Sequence, residues 1–231
     1  MVTDAYRKVY QELNDLSGKY WKTERADREA DIWFCRERNR VSLAVIGDTF
    51  KDLSVLAVGA SFWIEAAFLS VLPAKKILRT DLIKSEGIEQ EIDASNMPFS
   101  DESVDAIVCR ELIEHVPNEK TLMSEIERVI KPKGYLFITT PNSYNVPPDG
   151  KVHIRGYSPQ GLITELSLFG FEIIKKRGTV PNIYKGLFDC VSSGYPRALN
   201  EFYDLADRFN KLGDDSYYFG SHLCALARKL E

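Results

Sequence analysis

From Leu53 onward, short apolar runs alternate with helix-length amphipathic segments, and this alternation limits the fold more than any other feature of the sequence. The runs of strand length are Leu53–Val58, Lys76–Leu82, Glu91–Ala94, Val104–Cys109, Tyr135–Thr140, Phe171–Lys176 and Ser221–Arg228. The segments with a helical pattern are Phe62–Leu72, Glu119–Ile130 and Pro159–Phe169. Strands that alternate with helices over short connections predict an α/β fold in which helices cover both faces of a parallel sheet. We therefore expect a Rossmann-like, seven-stranded, mostly parallel sheet.

The first 50 residues have a different pattern, which predicts helices. In Thr3–Tyr20 apolar residues recur at intervals of three and four, the spacing of an amphipathic helix. The charged stretch Glu24–Arg40 contains an apolar patch and predicts a second helix. We predict that residues 1–50 form a helical extension or lid and that residues 51–231 form one domain. An aromatic, helical insertion at about residues 184–219 is interpreted as a lid, a substrate wall, a packing cap or a dimer surface.

Composition and charge exclude several classes of function. The formal net charge of −4 disfavours non-specific binding to nucleic acid, which needs a basic surface. No apolar run is long enough to span a membrane, and the charged N-terminus lacks the apolar core of a signal peptide. The four cysteines show no CxxC spacing, so neither a disulfide framework nor a cysteine-built zinc site is indicated. We expect a cytoplasmic protein that acts on a small molecule, without a membrane or nucleic-acid partner, and leave a homodimer open.

The residues that follow the predicted strands are the first candidates for a binding site. Ligands of open parallel sheets bind beyond the carboxyl ends of the strands, near the point where the strand order reverses. The small or polar residues at these ends are Gly59, Ser61, Asp81, Asp93, Ala94 and Arg110. Carboxylates at two successive strand ends suit a nucleoside, because one carboxylate accepts hydrogen bonds from both hydroxyls of a ribose diol. Taken singly, Asp81 and Asp93 are typical of turns.

The segment Ile92–Asn118, IDASNMPFSDESVDAIVCRELIEHVPN, resembles class I S-adenosylmethionine-dependent methyltransferases. The later runs KPKGYLFITTPN and HIRGYSPQGLITELSLFGFEI are similar to the same family. The resemblance covers residues 53–176 and the last predicted strand. It is closest to enzymes that methylate small molecules, such as quinone-precursor and sugar O-methyltransferases.

This resemblance implies a reaction and a cofactor. S-Adenosyl-L-methionine would donate a methyl group to a small-molecule acceptor, at an oxygen atom. Asp81 would hold the ribose hydroxyls of the cofactor, and Asp93 with Ala94 would contact the adenine. The other residues of the cofactor site implied in this way are Gly59, Ser61 and Arg110.

The loop after the first strand departs from the pattern of that family. The family has an acid, one residue, and then Gly-x-Gly-x-Gly, whereas this chain has Ala57, Gly59, Ser61 and Trp63 at the four defining positions. Glycines in such a loop allow positive φ angles and close approach of the backbone to a ligand. Two interpretations follow, a methyltransferase with an altered loop and a non-catalytic binding protein with the same fold. No GxGxxG follows the first strand, which argues against a nicotinamide dehydrogenase.

A second group of candidate residues follows the fourth predicted strand. A helical turn in Glu-x-x-Glu-His would place Glu111 and Glu114 on one face, with His115 beside them and His153 arriving from a later loop. The ordinary pKa of histidine suits proton removal near neutral pH, so His115 is the predicted general base and His153 a second catalytic candidate. His222, in the last predicted strand, is predicted to be structural.

The same four side chains resemble the divalent-cation site of small-RNA 2′-O-methyltransferases. Two carboxylates and two imidazoles form a suitable mixed set of oxygen and nitrogen ligands. A metal-assisted RNA 2′-O-methyltransferase is therefore an alternative function. We assign no metal to Glu111, Glu114, His115 and His153, because carboxylates at the start of a helix are also favoured by the helix macrodipole.

Overall fold

The computed structural model describes residues 29–61, 63–148, 150, 152–181 and 199–231. Within these ranges the helices are α1 (Glu29–Ile46), α2 (Trp63–Leu69), α3 (Glu119–Val129), α4 (Pro159–Leu168), α5 (Leu199–Asn210) and a 3-10 helix (Gly213–Tyr218). The strands there are β1 (Ser54–Val58), β2 (Lys76–Asp81), β3 (Gln90–Glu91), β4 (Val104–Arg110), β5 (Ile130–Pro141), β6 (Phe171–Gly178) and β7 (His222–Lys229). The predicted helix Thr3–Tyr20 and residues 182–198 of the aromatic insertion lie outside the described residues.

The strands form one seven-stranded sheet in the order β3-β2-β1-β4-β5-β7-β6. β7 runs antiparallel to both of its neighbours, and the other pairs are parallel. The predicted α/β, Rossmann-like, mostly parallel sheet is therefore confirmed. The strand order reverses between β1 and β4, so the carboxyl ends of these two strands are where a ligand of this fold is expected.

Two hydrophobic cores, one on each face, hold the helices against the sheet. Along β1, Leu56 and Val58 belong to one core and Val55 and Ala57 to the other, because successive side chains of a strand point to opposite faces. Helices α3 and α4 cover the first face. Helices α1 and α2 cover the second, where Phe68 of α2 is completely buried. The helices on both faces thus leave the carboxyl edge of the sheet as the place where polar side chains collect.

Helix α1 extends further than the sequence pattern predicts. It continues past Arg40 to Ile46, and its last turns pack on the sheet through the buried Val41 and Val45. None of the helices within the described ranges is both long enough and apolar enough to cross a membrane. The lid function predicted for residues 1–50 stays a prediction.

The start of β5 and the end of β3 also differ from the predicted positions. β5 begins at Ile130 rather than at Tyr135, because the chain passes directly from α3 into the strand. A register shift between β4 and β5 accommodates the extra residues, and Lys133 adopts a positive φ of 63° there. β3 is limited to Gln90–Glu91, so Asp93 lies in the turn that follows it.

Candidate functional site

A cleft opens beyond the carboxyl ends of β1 and β2. Its lining residues come from four strand ends and the turns after them: Gly59, Asp81, Leu82, Ile92, Asp93, Ala94, Ser95, Leu112, Val116 and Pro117. The fold therefore brings Gly59, Asp81, Asp93 and Ala94 to one cleft, whereas Ser61 and Arg110 do not line it.

Asp81 is buried at the end of β2, with only 1% of its surface exposed. Its Oδ2 accepts a hydrogen bond from the backbone N–H of Ser61 at 3.1 Å, and its Oδ1 accepts one from that of Ile83 at 3.2 Å. Burial raises the pKa of Asp81 above its ordinary value, and these hydrogen bonds oppose the rise. The carboxylate is thus fixed in orientation and poorly solvated, which suits it to bind a hydroxyl-bearing ligand.

Asp93 lies in a turn and also on the wall of the cleft, which are the two positions that the sequence predicts for it. Its Oδ1 accepts a hydrogen bond from the backbone N–H of Ser95 at 2.9 Å, and its carbonyl oxygen accepts one from the N–H of Asn96 at 2.9 Å, as in an Asx turn. The same turn places Asp93 and Ala94 on the wall of the cleft. The hydrogen bonds of this turn therefore hold Asp93 and Ala94 at the wall of the cleft, so a turn and a binding site are compatible at this position.

The loop after β1 keeps the one glycine that its backbone requires. Gly59 has a φ of +68°, and a Cβ at this position would lie 3.0 Å from Cδ1 of Leu112, which lines the same cleft. Ser61 contributes its backbone N–H to Asp81 and not its side chain. Trp63 begins α2, and its side chain lies outside the described part of the chain.

A cluster of buried charges lies next to this loop, and the sequence did not predict it. The charge cluster consists of Arg38 in α1, Glu65 in α2, Arg110 and Glu111 at the end of β4, and His222 at the start of β7. Four contacts join its members. Arg110 Nη1 lies 3.3 Å from Glu65 Oε2, and Arg38 Nη1 lies 3.4 Å from both Glu111 Oε2 and His222 Nε2. His222 Nε2 lies 3.3 Å from Glu111 Oε2. One signal was available, because Glu65 is the only charged residue in the apolar helix WIEAAFL.

Arg110 belongs to this cluster and not to the wall of the cleft. Its side chain is completely buried, its Nη2 donates to Asn39 Oδ1 at 2.9 Å, and its guanidinium lies 4.0 Å from the centre of the Phe68 ring. It therefore faces the side of the sheet that α1 and α2 cover. Any contact of Arg110 with a cofactor must occur on that side, away from Asp81 and Asp93.

Glu111 has a strained backbone and a fully engaged carboxylate. Its φ is +48°, an unusual value for a residue with a side chain, and such strain is often found at functional sites. Thr139 donates its hydroxyl to Glu111 Oε1 at 2.7 Å. Burial alone would raise the pKa of Glu111, but His222 and Arg38 hold it below its ordinary value. Burial lowers the pKa of His222 to about 4, so the ring is neutral at pH 7 and Arg38 is then the cation that keeps Glu111 ionised.

The predicted cluster of two glutamates and two histidines separates into two groups. The segment after β4 is a turn and not a helix, and the left-handed backbone at Glu111 directs its carboxylate towards Arg38. The prediction that Glu111 and Glu114 share a helix face is therefore wrong. Among the described residues, Glu114, His115 and His153 do meet, with ligand atoms within 4.8 Å of one another.

Within this group, hydrogen bonds orient the side chains. The ring nitrogen Nδ1 of His115 lies 2.8 Å from the carbonyl oxygen of Val152, so Nδ1 carries the proton in the neutral ring and Nε2 is the basic nitrogen. The ring centres of His115 and His153 are 5.1 Å apart. Glu114 is buried and accepts a hydrogen bond from Thr140 Oγ1 at 3.0 Å. Burial and the nearby Glu111 raise the pKa of Glu114 well above its ordinary value.

Comparison with known proteins gives a sequence match over part of the chain. Residues 70–138 match the family described as a methyltransferase domain. Methyltransferase GfsG from Streptomyces halstedii is 36% identical over 63 residues, which are 25% of this chain and 23% of that protein. A ubiquinone biosynthesis O-methyltransferase from Dechloromonas aromatica is 34% identical over 61 residues, which are 25% of this chain and 26% of that protein. The matches thus span about a quarter of the length of these curated relatives.

A solved structure matches over the whole chain. It is the 1,6-didemethyltoxoflavin-N1-methyltransferase of Burkholderia thailandensis with bound 1,6-didemethyltoxoflavin and S-adenosylhomocysteine. The TM-score is 0.59 at 15% identity, and the likeness covers 100% of this chain and 93% of that one. At this identity the likeness shows the fold alone. Residues 70–138 are thus similar in sequence to a methyltransferase domain, and the chain as a whole is similar in fold to a methyltransferase.

Proposed function

We propose that this protein transfers a methyl group from S-adenosylmethionine to a small-molecule acceptor, at an oxygen atom. The observation that carries the proposal is the cleft at the switch point of the sheet, which joins Gly59, Asp81, Asp93 and Ala94. The buried Asp81 offers carboxylate oxygens to a ribose diol, and the turn at Asp93 offers polar groups to the edge of a purine. Gly59 allows the backbone to approach the ligand at a point where a side chain would collide with Leu112.

The residues of the cleft act by alignment. When bound, S-adenosylmethionine supplies an electrophilic methyl group on its sulfonium. Methyl transfer is an in-line displacement, and holding two reactants in line contributes a large part of the rate. Asp81 and the turn at Asp93 fix the nucleoside end, so that the rest of the ligand extends past Gly59 towards the carboxyl end of β4.

His115 is proposed as the general base for an oxygen acceptor. His115 lies in the same turn as Leu112 and Val116, which line the cleft. Its backbone N–H donates a hydrogen bond to the carbonyl oxygen of Leu112 at 2.9 Å. Its Nε2 would take the proton of the acceptor hydroxyl, which makes the acceptor oxygen a better nucleophile. His153, beside it, is proposed to orient the acceptor.

A second candidate is metal-assisted transfer to an oxygen acceptor, and the group Glu114, His115 and His153 favours it. These residues supply one carboxylate and two imidazoles, and Glu114 Oε1 has no hydrogen-bond partner among the described residues. If bound there, a divalent cation would supply Lewis acidity that lowers the pKa of the acceptor hydroxyl. The net charge of −4 continues to disfavour RNA as that acceptor.

Manganese binding tests this second candidate. We expect Mn²⁺, followed by electron paramagnetic resonance, to bind the wild-type protein more tightly at pH 8 than at pH 6, because metal-ligating imidazoles and carboxylates must be deprotonated. His153→Ala should abolish this binding. Asp207→Asn, an exposed carboxylate on α5, serves as the control and should leave it unchanged. Equal binding by wild type and His153→Ala would contradict the metal site.

Calorimetric titration with S-adenosylhomocysteine tests the main proposal. We expect saturable binding to one site per chain. Absence of binding at millimolar ligand would overturn the proposal, including its non-catalytic variant. Turnover is then followed as S-adenosylhomocysteine released from S-adenosylmethionine in the presence of a panel of phenols, catechols and sugars. Binding without turnover on any acceptor would favour the non-catalytic binding protein.

A further inference from the structure

The charge cluster contains several buried polar atoms that make no hydrogen bond. Within the described part of the chain, Arg38 Nε, Glu65 Oε1, and Arg110 Nε and Nη1 are buried and make no hydrogen bond. Each unsatisfied buried polar group costs about 1–3 kcal/mol, and more when the group is charged. Arg110 Nη1 has an ion-pair contact with Glu65 Oε2 at 3.3 Å. The other three atoms, on three adjacent side chains, point to polar atoms of a ligand that would complete the network.

The position of the cluster relative to the cleft indicates which part of a ligand would reach it. Gly59 in the loop after β1 lines the cleft, and α2, which begins at Trp63, carries Glu65 in its first turn. Arg110 and Glu111 close β4, the strand on the other side of the switch point. The nucleoside cleft and the charge cluster thus lie on the two sides of the same loop. A ligand that is held by its nucleoside at Asp81 and extends past Gly59 arrives at the cluster.

The charge cluster contains carboxylates, whereas the altered loop after β1 has none at the position of Ala57. At the position where related loops carry an acid, this chain has Ala57, which is 1% exposed and packed in the core beneath α1 and α2. A carboxylate for a ligand ammonium must therefore come from another position. Of the two carboxylates in the cluster, Glu111 is already bonded to Thr139 and faces Arg38 and His222. Glu65 has one oxygen that is still unpartnered.

The charges of the cluster are balanced, which sets the charge of the ligand it accepts. Two guanidinium groups, Arg38 and Arg110, face two carboxylates, Glu65 and Glu111. A buried site of this kind disfavours a ligand that adds an uncompensated charge. A zwitterion adds one positive and one negative group and preserves the balance. The amino-acid end of S-adenosylmethionine is such a zwitterion.

We infer that the charge cluster binds the amino-acid end of the cofactor. Glu65 Oε1 accepts from the ammonium group, and the Arg38 guanidinium donates to the carboxylate. Arg110 acts as a positioning residue, because it holds Glu65 through Nη1 while Asn39 and the Phe68 ring fix its own guanidinium. This inference rests on the proposed function.

Two ligands that differ only at the amino-acid end test the inference. S-Adenosylhomocysteine carries that end, whereas 5′-methylthioadenosine has the same nucleoside and sulfur without it. Binding of both is measured by calorimetry to wild type, Glu65→Gln and Arg38→Met. We expect each substitution to weaken S-adenosylhomocysteine about tenfold or more, the value of a charged hydrogen bond, and to leave 5′-methylthioadenosine within about twofold.

The controls separate this inference from a structural effect and from failure of the proposed function. Arg40→Met removes an arginine of the same helix that pairs with Glu37 at the surface, and it should change neither affinity. Equal weakening of both ligands, or of neither, in folded Glu65→Gln and Arg38→Met would overturn the inference. If Glu65→Gln does not fold, as judged by circular dichroism, Arg38→Met and Arg38→Lys carry the comparison alone. Wild-type protein that binds neither ligand would instead overturn the proposed function.

Discussion

Replacing Asp81 with asparagine is expected to weaken S-adenosylhomocysteine binding by about 100-fold. In the folded protein each oxygen of Asp81 already accepts one backbone hydrogen bond, from Ser61 and from Ile83, and retains lone pairs for a ligand. An asparagine keeps one acceptor oxygen and presents an NH2 group where the ribose hydroxyls need an acceptor. Hydrogen bonds to a charged group contribute about 1.5–3 kcal/mol each, so the loss of one or two corresponds to this change in affinity.

Calorimetry with matched variants distinguishes this effect from general damage. Asp93→Asn is the comparison, because Asp93 lies on the same cleft but is only half-buried and already engaged with Ser95. Its affinity should fall less than tenfold. A thermal unfolding scan of each variant verifies that the fold is intact. Affinity of Asp81→Asn within threefold of wild type would contradict the assignment of Asp81 to the ribose.

The second large effect concerns stability and pH, and it arises from His222. The pKa of His222 is about 4 in the folded protein because burial disfavours the charged ring, whereas an unfolded histidine has a pKa of about 6.5. Between these values the unfolded state binds a proton that the folded state does not. The contribution of His222 to the free energy of unfolding is therefore at its full value above pH 6.5, and it is lost as the pH falls towards 4. The linkage relation gives a loss of about 3 kcal/mol over this window.

Urea unfolding of wild type and His222→Asn at pH 7 and pH 4.5 measures this contribution. Other groups titrate in the same window, since the pKa values of Glu65, Asp81 and Glu114 are raised, so the difference between the two proteins is the quantity to compare. The groups that act on His222 are Glu111, Arg38, Arg110 and His153. Wild type should lose more stability on acidification than His222→Asn. Parallel losses in the two proteins would show that His222 does not titrate with a depressed pKa.

The sequence predicts the sheet, and the meeting of Asp81 and Asp93 at one edge of it, because both depend on local patterns. Apolar runs separated by helical segments specify a parallel sheet, and a parallel sheet brings its carboxyl ends together. Asp81 and Asp93 could thus be assigned to one edge without knowledge of their contacts. The strand order and the extension of β5 to Ile130 were decided by tertiary pairing, which no local pattern reveals.

The charge cluster could not be predicted, because it depends on contacts between distant parts of the sequence. Its members lie far apart in the sequence, from Arg38 to His222, and come together only through the packing of α1 and the return of β7. The position of His222 in the last strand predicts a structural role, but no local pattern indicates that its ring contacts Glu111. The spacing of Glu111 and Glu114 predicted a shared helix face, but the positive φ at Glu111 separates their carboxylates.

The central claim is that the cleft at β1 and β2 binds S-adenosylmethionine, and a crystal structure of the complex with S-adenosylhomocysteine tests it most directly. We predict ribose hydroxyls on Asp81, the adenine against the turn of Asp93 and Ala94, and the Trp63 ring turned away from the ligand. The homocysteine end should lie between Glu65 and Arg38. A structure with the ligand bound elsewhere, or with Trp63 filling the cleft and the ligand excluded, would contradict the account.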